Sequence, residues 1–179
     1  KADNSNVVID VLALAWTKPL LDRMPEVNQA ITMPISHGKF DWGSRKKIGL
    51  ELKKQNYDQA IVLPNSWKSA LIPWFAKIPV RTGWRGEMRY GLLNDIRALD
   101  KLALPMMVQR YVSLAYPAEQ AHIAPSYQAP RMIAEAINTD LIPNIDESAQ
   151  RLILCPGAEF GPAKQWPAEH YANVATQLI

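Results

Sequence analysis

Two stretches of this sequence concentrate residue types that bind anions. The first reads Cys155-Pro156-Gly157-Ala158-Glu159-Phe160-Gly161-Pro162-Ala163-Lys164-Gln165-Trp166-Pro167, between an apolar run and the start of a helix pattern. In open α/β sheets ligands gather at the carboxyl ends of strands, where helix-start N–H groups favour negative charge. Gly157 and Gly161 let backbone approach a ligand and Lys164 adds a mobile cation, so the loop is a candidate phosphate site. Its spacing is neither a Walker P-loop nor a GxGxxG run, and a plain structural loop is the alternative. Cys155 closes an apolar run and reads as core rather than nucleophile.

The second stretch, Arg81-Thr82-Gly83-Trp84-Arg85-Gly86-Glu87-Met88-Arg89-Tyr90, places three arginines and two aromatics in ten residues. Arginine forks suit phosphate and carboxylate, and Trp or Tyr faces suit sugar rings. The competing reading is an arginine–aromatic stack that ties down a loop. Asn65-Ser66-Trp67-Lys68-Ser69 sits at another strand-to-helix turn. If the strands are parallel, the two turns share one sheet edge and would form a basic cleft. No Ser-His-Asp or Cys-His signature occurs, and Asp41, Asp95 and Asp100 are general-base candidates that spacing does not separate.

Composition sets the frame. The 179 residues are 48% hydrophobic and 21% charged, those of an ordinary globular protein of one or two domains. No apolar run reaches the roughly 18–20 residues of a membrane-spanning helix. One cysteine excludes a disulfide framework or a multi-cysteine zinc site, and His37, His122 and His170 are scattered. No metal site is expected. The net charge of +3 is uneven: residues 39–54 hold six cations against two anions, and residues 64–101 seven against three. A basic face for phosphate, anionic lipid or nucleic acid follows, unless these are solvated helix faces.

Alternating apolar runs and helix-like stretches position these residues. Strands are expected over Val7–Leu14, Gln29–Met33, Ala60–Leu63, Pro79–Thr82 and Arg151–Cys155. Helices are expected over Trp16–Met24, Ser44–Asn56, from an N-cap at Ser66 to Ala76, over Met106–Tyr116 (Val108, Tyr111, Val112 and Ala115 on one face), around Ile133–Leu141 and from Pro167. Strand–helix alternation with short connections predicts an α/β fold around a mostly parallel sheet. Three segments follow: an α/β domain over 1–116, a proline-interrupted connection over 117–150, and the first strand–loop–helix of a second domain over 151–179.

The runs Leu63 to Ala70, Arg81 to Asp95 and Pro156 to Pro167, with Ile9 to Ala13 and Met24 to Asn28, resemble the ADP-heptose:lipopolysaccharide heptosyltransferase family of GT-B glycosyltransferases. The resemblance weakens between about Pro117 and Gln150. It implies two Rossmann-like domains, an N-terminal one for the lipid-linked acceptor and a C-terminal one for the nucleotide-sugar. It further implies transfer of L-glycero-D-manno-heptose from ADP-heptose to heptosyl-Kdo2-lipid A of the lipopolysaccharide inner core, inverting the anomeric carbon. Gly157, Ala158 and Lys164 would lie by the donor diphosphate, with Glu159 and Trp166 in the same loop. Charge and position put Asn65, Ser66, Lys68, Arg81, Trp84, Arg85 and Arg89 toward the acceptor.

No tightly bound cofactor is implied beyond ADP-heptose as donor substrate, and divalent-ion dependence stays open. The location implied is cytoplasmic, peripheral at the inner face of the inner membrane. The family's first strand and its catalytic aspartate are expected ahead of Lys1, and its later donor motif beyond Ile179. No catalytic residue is therefore assigned within the chain, and these 179 residues alone are expected to be inactive. Alternatives are a non-catalytic module binding anionic lipid or phosphosugar, and a transferase using another nucleotide-sugar. Nucleic acid is not an expected partner: the basic residues form no contiguous tract and no recognised motif.

Overall fold

The computed structural model describes residues 6–35, 40–133, 152–157 and 162–178. The chain forms two compact units, residues 1–134 and 135–179. In the first, β1 (Asp10–Leu14) pairs in parallel with β2 (Gln29–Met33), Asp10 opposite Gln29 and Leu14 opposite Met33. β3 (Gln59–Ile61), β4 (Val80–Trp84) and β5 (Asp95–Arg97) form a second parallel sheet in that order. α1 (Lys18–Leu21), α2 (Trp42–Leu52) and α3 (Leu71–Phe75) run between strands, and α4 (Met107–Val112) follows β5. The parallel α/β architecture is the one expected. Among the described residues no helix is long and apolar enough to cross a membrane.

Apolar residues on both sides of the sheets fix the helices. Val62, Ala70, Leu71, Leu92 and Leu93 form one core, and Ile35, Ile48 and Ile72 another, against which Leu12, Met33 and Leu52 pack. A third gathers Trp84, Leu104, Leu114 and Ala121. α2 and α3 approach so closely at Gly49 that an added Cβ would lie 2.8 Å from the Ile72 carbonyl oxygen and against Phe75 Cβ.

Several expectations need correction. Val7 and Val8 are exposed and β1 is only half-buried, because its one strand neighbour among the described residues is β2. Ser66 occupies the cap position but its side chain caps nothing; the Glu87 carboxylate accepts from Trp67 N (2.9 Å) and does that work from the next turn. α4 tightens into a 3-10 turn at Ser113–Ala115, which rotates the buried face onto Ser113 and Leu114 and leaves Tyr111 and Ala115 exposed. β5 has only one apolar residue, Ile96, and carries no hydrophobic signature.

What holds β5 is polar. Gln59 Nε2 donates to Thr82 Oγ1 (2.8 Å), which donates to Asp95 Oδ2 (2.9 Å). Arg97 bonds both Asp95 oxygens (3.1 and 2.7 Å) and donates to the carbonyls of Ser113 (3.1 Å) and Tyr116 (2.7 Å). The belt crosses all three strands. The Arg97 bonds, with help from Thr82 and against the cost of burial, hold the Asp95 carboxyl below its ordinary range. A depressed carboxyl pKa stabilises the fold above its unfolded value, and that stability is lost as pH falls through the folded one. The unfolding free energy, from urea titrations followed by circular dichroism at several pH values, is therefore expected to fall more steeply on the acid side in wild type than in Asp95→Asn, which starts lower at neutral pH and has the flatter limb. An unchanged acid limb in the variant would remove Asp95 from the account.

In the second unit α5 (Ala168–Leu178) starts directly after Pro167, as expected, with Glu169 in its first turn. Residues 152–157 pair with no strand among the described residues, and Leu152, Ile153, Leu154 and Cys155 are exposed. The strand expected over Arg151–Cys155 and the buried Cys155 are both corrected: an apolar run becomes a strand only where another strand satisfies its backbone. Residues 134–141 of the helix expected around Ile133 lie outside the described residues.

Candidate anion-binding turns

β3 and β4 are parallel neighbours, so the turns leaving their carboxyl ends lie side by side, as the cleft argument requires. The turns are bolted together. Arg89, 1% exposed, donates from Nη1 to Pro64 O (2.6 Å) and from Nη2 to Asn65 Oδ1 (3.2 Å) and Trp84 O. Glu87 reaches across to Trp67 N. Gly86 makes the contact possible, since a Cβ there would stand 2.7 Å from Asn65 O.

The sequence-predicted acceptor residues therefore divide. Arg89 and Trp84 are interior: the indole Nε1 donates to Arg110 O (3.0 Å). Half-buried Arg81 spends Nε on Leu92 O (2.6 Å) and Nη1 on Ile78 O (2.5 Å). These three brace the loop through bonds to carbonyl oxygens rather than by the arginine–aromatic stack weighed as the alternative for this cluster. Asn65 and Arg85 are exposed, and Ser66 and Lys68 half-buried. Arg45, not singled out from sequence, is 5% exposed and ties the same region together, donating to Phe40 O (2.6 Å) and Lys68 O (3.1 Å).

Residue type carried the missed signal. Guanidinium is weakly hydrated and forks onto carbonyls, whereas ammonium stays in water. Among the described residues the buried cations are Arg45, Arg89 and Arg97, while Lys46, Lys47, Lys53, Lys54 and Lys77 are exposed. Burial lowers the pKa of Arg45 and of Arg89, countered by Asp41 and Glu87 respectively.

None of the three acidic candidates is poised as a base. Asp41 caps α2 by accepting from Ser44 N (3.0 Å), and Asp95 belongs to the polar belt. Asp100 accepts from Leu102 N (2.8 Å) and Ala103 N (3.1 Å), bonds that lower its pKa. A shallow depression of about 270 Å³ between β2 and α2, bordered by Lys47 and Glu51, includes no residue of either turn. Among the described residues no cluster of three or more His, Cys, Asp or Glu could hold a metal ion.

In the second unit Lys164 ends a 3-10 turn over Pro162–Lys164 and is exposed, four residues ahead of α5. Trp166 stacks on His170 (centroids 5.4 Å apart) and meets Tyr171 edge-on (4.8 Å), so the first turn of α5 fixes the indole. A Cβ at Gly157 would touch nothing within 4 Å, which leaves open space beside the backbone. Ala158, Glu159 and Gly161 lie outside the described residues. A cation, a glycine and a helix start in one short segment suit a diphosphate.

Residues 45–179 match the model of glycosyltransferase family 9 (heptosyltransferase). The chain is 53% identical to lipopolysaccharide heptosyltransferase 2 of Salmonella typhimurium, over 100% of this chain and 53% of that protein. It is 50% identical to lipooligosaccharide heptosyltransferase 2 of Haemophilus influenzae, over 100% and 54%. The solved structure of E. coli ADP-heptose lps heptosyltransferase II superposes with a TM-score of 0.85 at 48% identity, covering 99% of this chain and 54% of that one. The chain thus spans about half the length of these relatives. It belongs to glycosyltransferase family 9, the heptosyltransferases.

Proposed function

We propose that these residues serve an inverting transfer of L-glycero-D-manno-heptose from ADP-heptose to the heptosyl-Kdo2-lipid A inner core of lipopolysaccharide. The observation that carries the reading is the pair of cross-braced turns at the carboxyl end of the β3–β4 sheet, in a chain about half identical to heptosyltransferases over its whole length. Asn65, Lys68 and Arg85 meet the phosphorylated, carboxylated acceptor, while Arg81, Trp84 and Arg89 hold those turns in place. Gly157 and Lys164 take the donor diphosphate.

In the reaction an acceptor hydroxyl attacks the anomeric carbon, the bond to ADP breaks on the opposite face, and the hydroxyl proton passes to a base. That base is assigned to no residue of this chain. Lys164 neutralises the charge that grows on departing ADP, help worth most where it is aimed at the leaving group. The protein works at the cytoplasmic face of the inner membrane as a peripheral enzyme and needs no tightly bound cofactor.

The test supplies ADP-heptose and a heptosylated, Kdo-bearing lipid A to a protein of the relatives' full length carrying these residues, and weighs the product. One added heptose is expected, with kcat reduced about 30-fold in Lys164→Ala, short of the loss of a rigid oxyanion donor because the lysine is mobile. No product where a known heptosyltransferase succeeds would overturn the heptose reading, and transfer from a different nucleotide-sugar would replace it.

A further inference from the structure

Five aromatic rings run in an unbroken chain across α2 and α3. Phe40 stacks on Trp67 (6.0 Å) and lies 6.1 Å from Trp42; Trp42 meets Phe75 edge-on (5.1 Å); Phe75 meets Trp74 (5.0 Å). The cores explain only part of it. Trp67 and Phe75 pack against the Val62–Leu93 core, yet Phe40 is 48% exposed, Trp42 44% and Trp74 42%, with Leu50 beside them on α2 at 47%.

The charge around this strip is mostly positive. Residues 40–54 carry five cations, of which Arg45 is buried, against the anions Asp41 and Glu51. Lys46 stands one helical turn from Trp42 on α2, Lys53 directly follows the last residue of α2, and Lys77 follows α3; all three are exposed. Indole rings with lysines alongside suit a bilayer's headgroup layer, where the ring's apolar body sinks and its N–H stays hydrated. A surface that only stabilised the fold would not need three large rings held open to water.

We infer that the Phe40–Trp42–Trp74 strip and the lysines of α2 form the surface by which this unit docks on an anionic phospholipid bilayer. The inference rests on the peripheral-membrane part of the function proposed above and names the face responsible. Indole insertion supplies depth, the lysines supply selectivity for anionic headgroups, and the turns carrying Asn65 and Lys68 adjoin the strip through Trp67.

The test is co-sedimentation of the 179-residue chain with phosphatidylglycerol-containing vesicles and with pure phosphatidylcholine vesicles, with bromine-labelled acyl chains to quench inserted tryptophans. Binding to the anionic vesicles with quenching is expected, and little binding to the neutral ones. Lys46→Gln with Lys53→Gln should weaken partitioning about 30-fold and reduce its salt dependence. Trp42→Ser with Trp74→Ser should weaken it on the order of tenfold and remove most of the quenching, with far-UV circular dichroism confirming the fold. The lysine pair, lying in water, tests the surface even if the tryptophan pair fails to fold.

Three results would overturn the assignment. Folded variants that bind like wild type would move membrane contact to another face and leave the peripheral reading standing. Wild type that ignores anionic vesicles would remove both, while heptose transfer on detergent-dispersed acceptor would still report on the enzyme separately. A dimer that the tryptophan variants turn into a monomer, with vesicle binding unchanged, would assign the strip to a second copy of the chain.

Discussion

Arg89→Met lowers the unfolding free energy by about 3 kcal/mol, an expectation built from the bonds it removes. Methionine keeps most of the stem's volume and none of its donors. Pro64 O, Trp84 O and Asn65 Oδ1 each lose a charge-assisted partner in a region where water scarcely reaches Arg89 itself. Part of the loss is returned, because the native guanidinium is desolvated, has no directly bonded carboxylate and leaves its Nε without a partner. Arg89→Lys should recover less than half, since an ammonium cannot span carbonyls on two separate turns. Urea titration followed by tryptophan fluorescence measures the change as a shift in midpoint at constant slope. A loss below about 1 kcal/mol in Arg89→Met would mean that Glu87 and the packing at Gly86 hold the turns without it.

Gly49→Ala is expected to destabilise by roughly 2–3 kcal/mol, although alanine in the middle of a helix normally stabilises by about 0.5–1 kcal/mol over glycine. The new methyl would meet the Ile72 carbonyl oxygen at 2.8 Å and Phe75 Cβ closer still. Neither atom is the free end of a flexible chain, so α2 and α3 must move apart. That separation would also loosen the edge-on contact of Trp42 with Phe75, visible in near-UV circular dichroism. The sign decides the matter: thermal unfolding at a higher temperature than wild type would show that the helices have room to spare.

The sequence made some of this legible for identifiable reasons. β2 falls on the residues expected, because Ala30, Ile31 and Met33 stand out between polar flanks. α2 was found through its helix formers, and the adjacency of the two turns followed once the strands were taken as parallel. β5 was hidden because its stability comes from Asp95 and Arg97, whose partners lie on other elements. The different roles within the arginine cluster were hidden for a related reason. Arg81, Arg85 and Arg89 look alike in sequence, and only the path of the backbone shows that two of them end on carbonyl oxygens. The run 151–155 failed the other way, its composition fitting a strand while its described residues pair with no strand among the described residues.

The polar belt through Gln59, Thr82, Asp95 and Arg97 bears on how this unit would respond to mechanical load. Beyond Tyr116 the chain continues toward the second unit, and the carbonyls of Ser113 and Tyr116 are both fastened to Arg97. Tension that reaches Tyr116, once Ala121 has left the core, loads those two bonds in parallel before it can peel the single turn at Ser113–Ala115. Through Asp95 and Thr82 the pull is then shared with β4 and β3, whose ladder bonds would have to yield together rather than one at a time. The belt thus ties the Ser113–Ala115 turn to all three strands at once, so a pull on that turn would be resisted by the sheet as a whole.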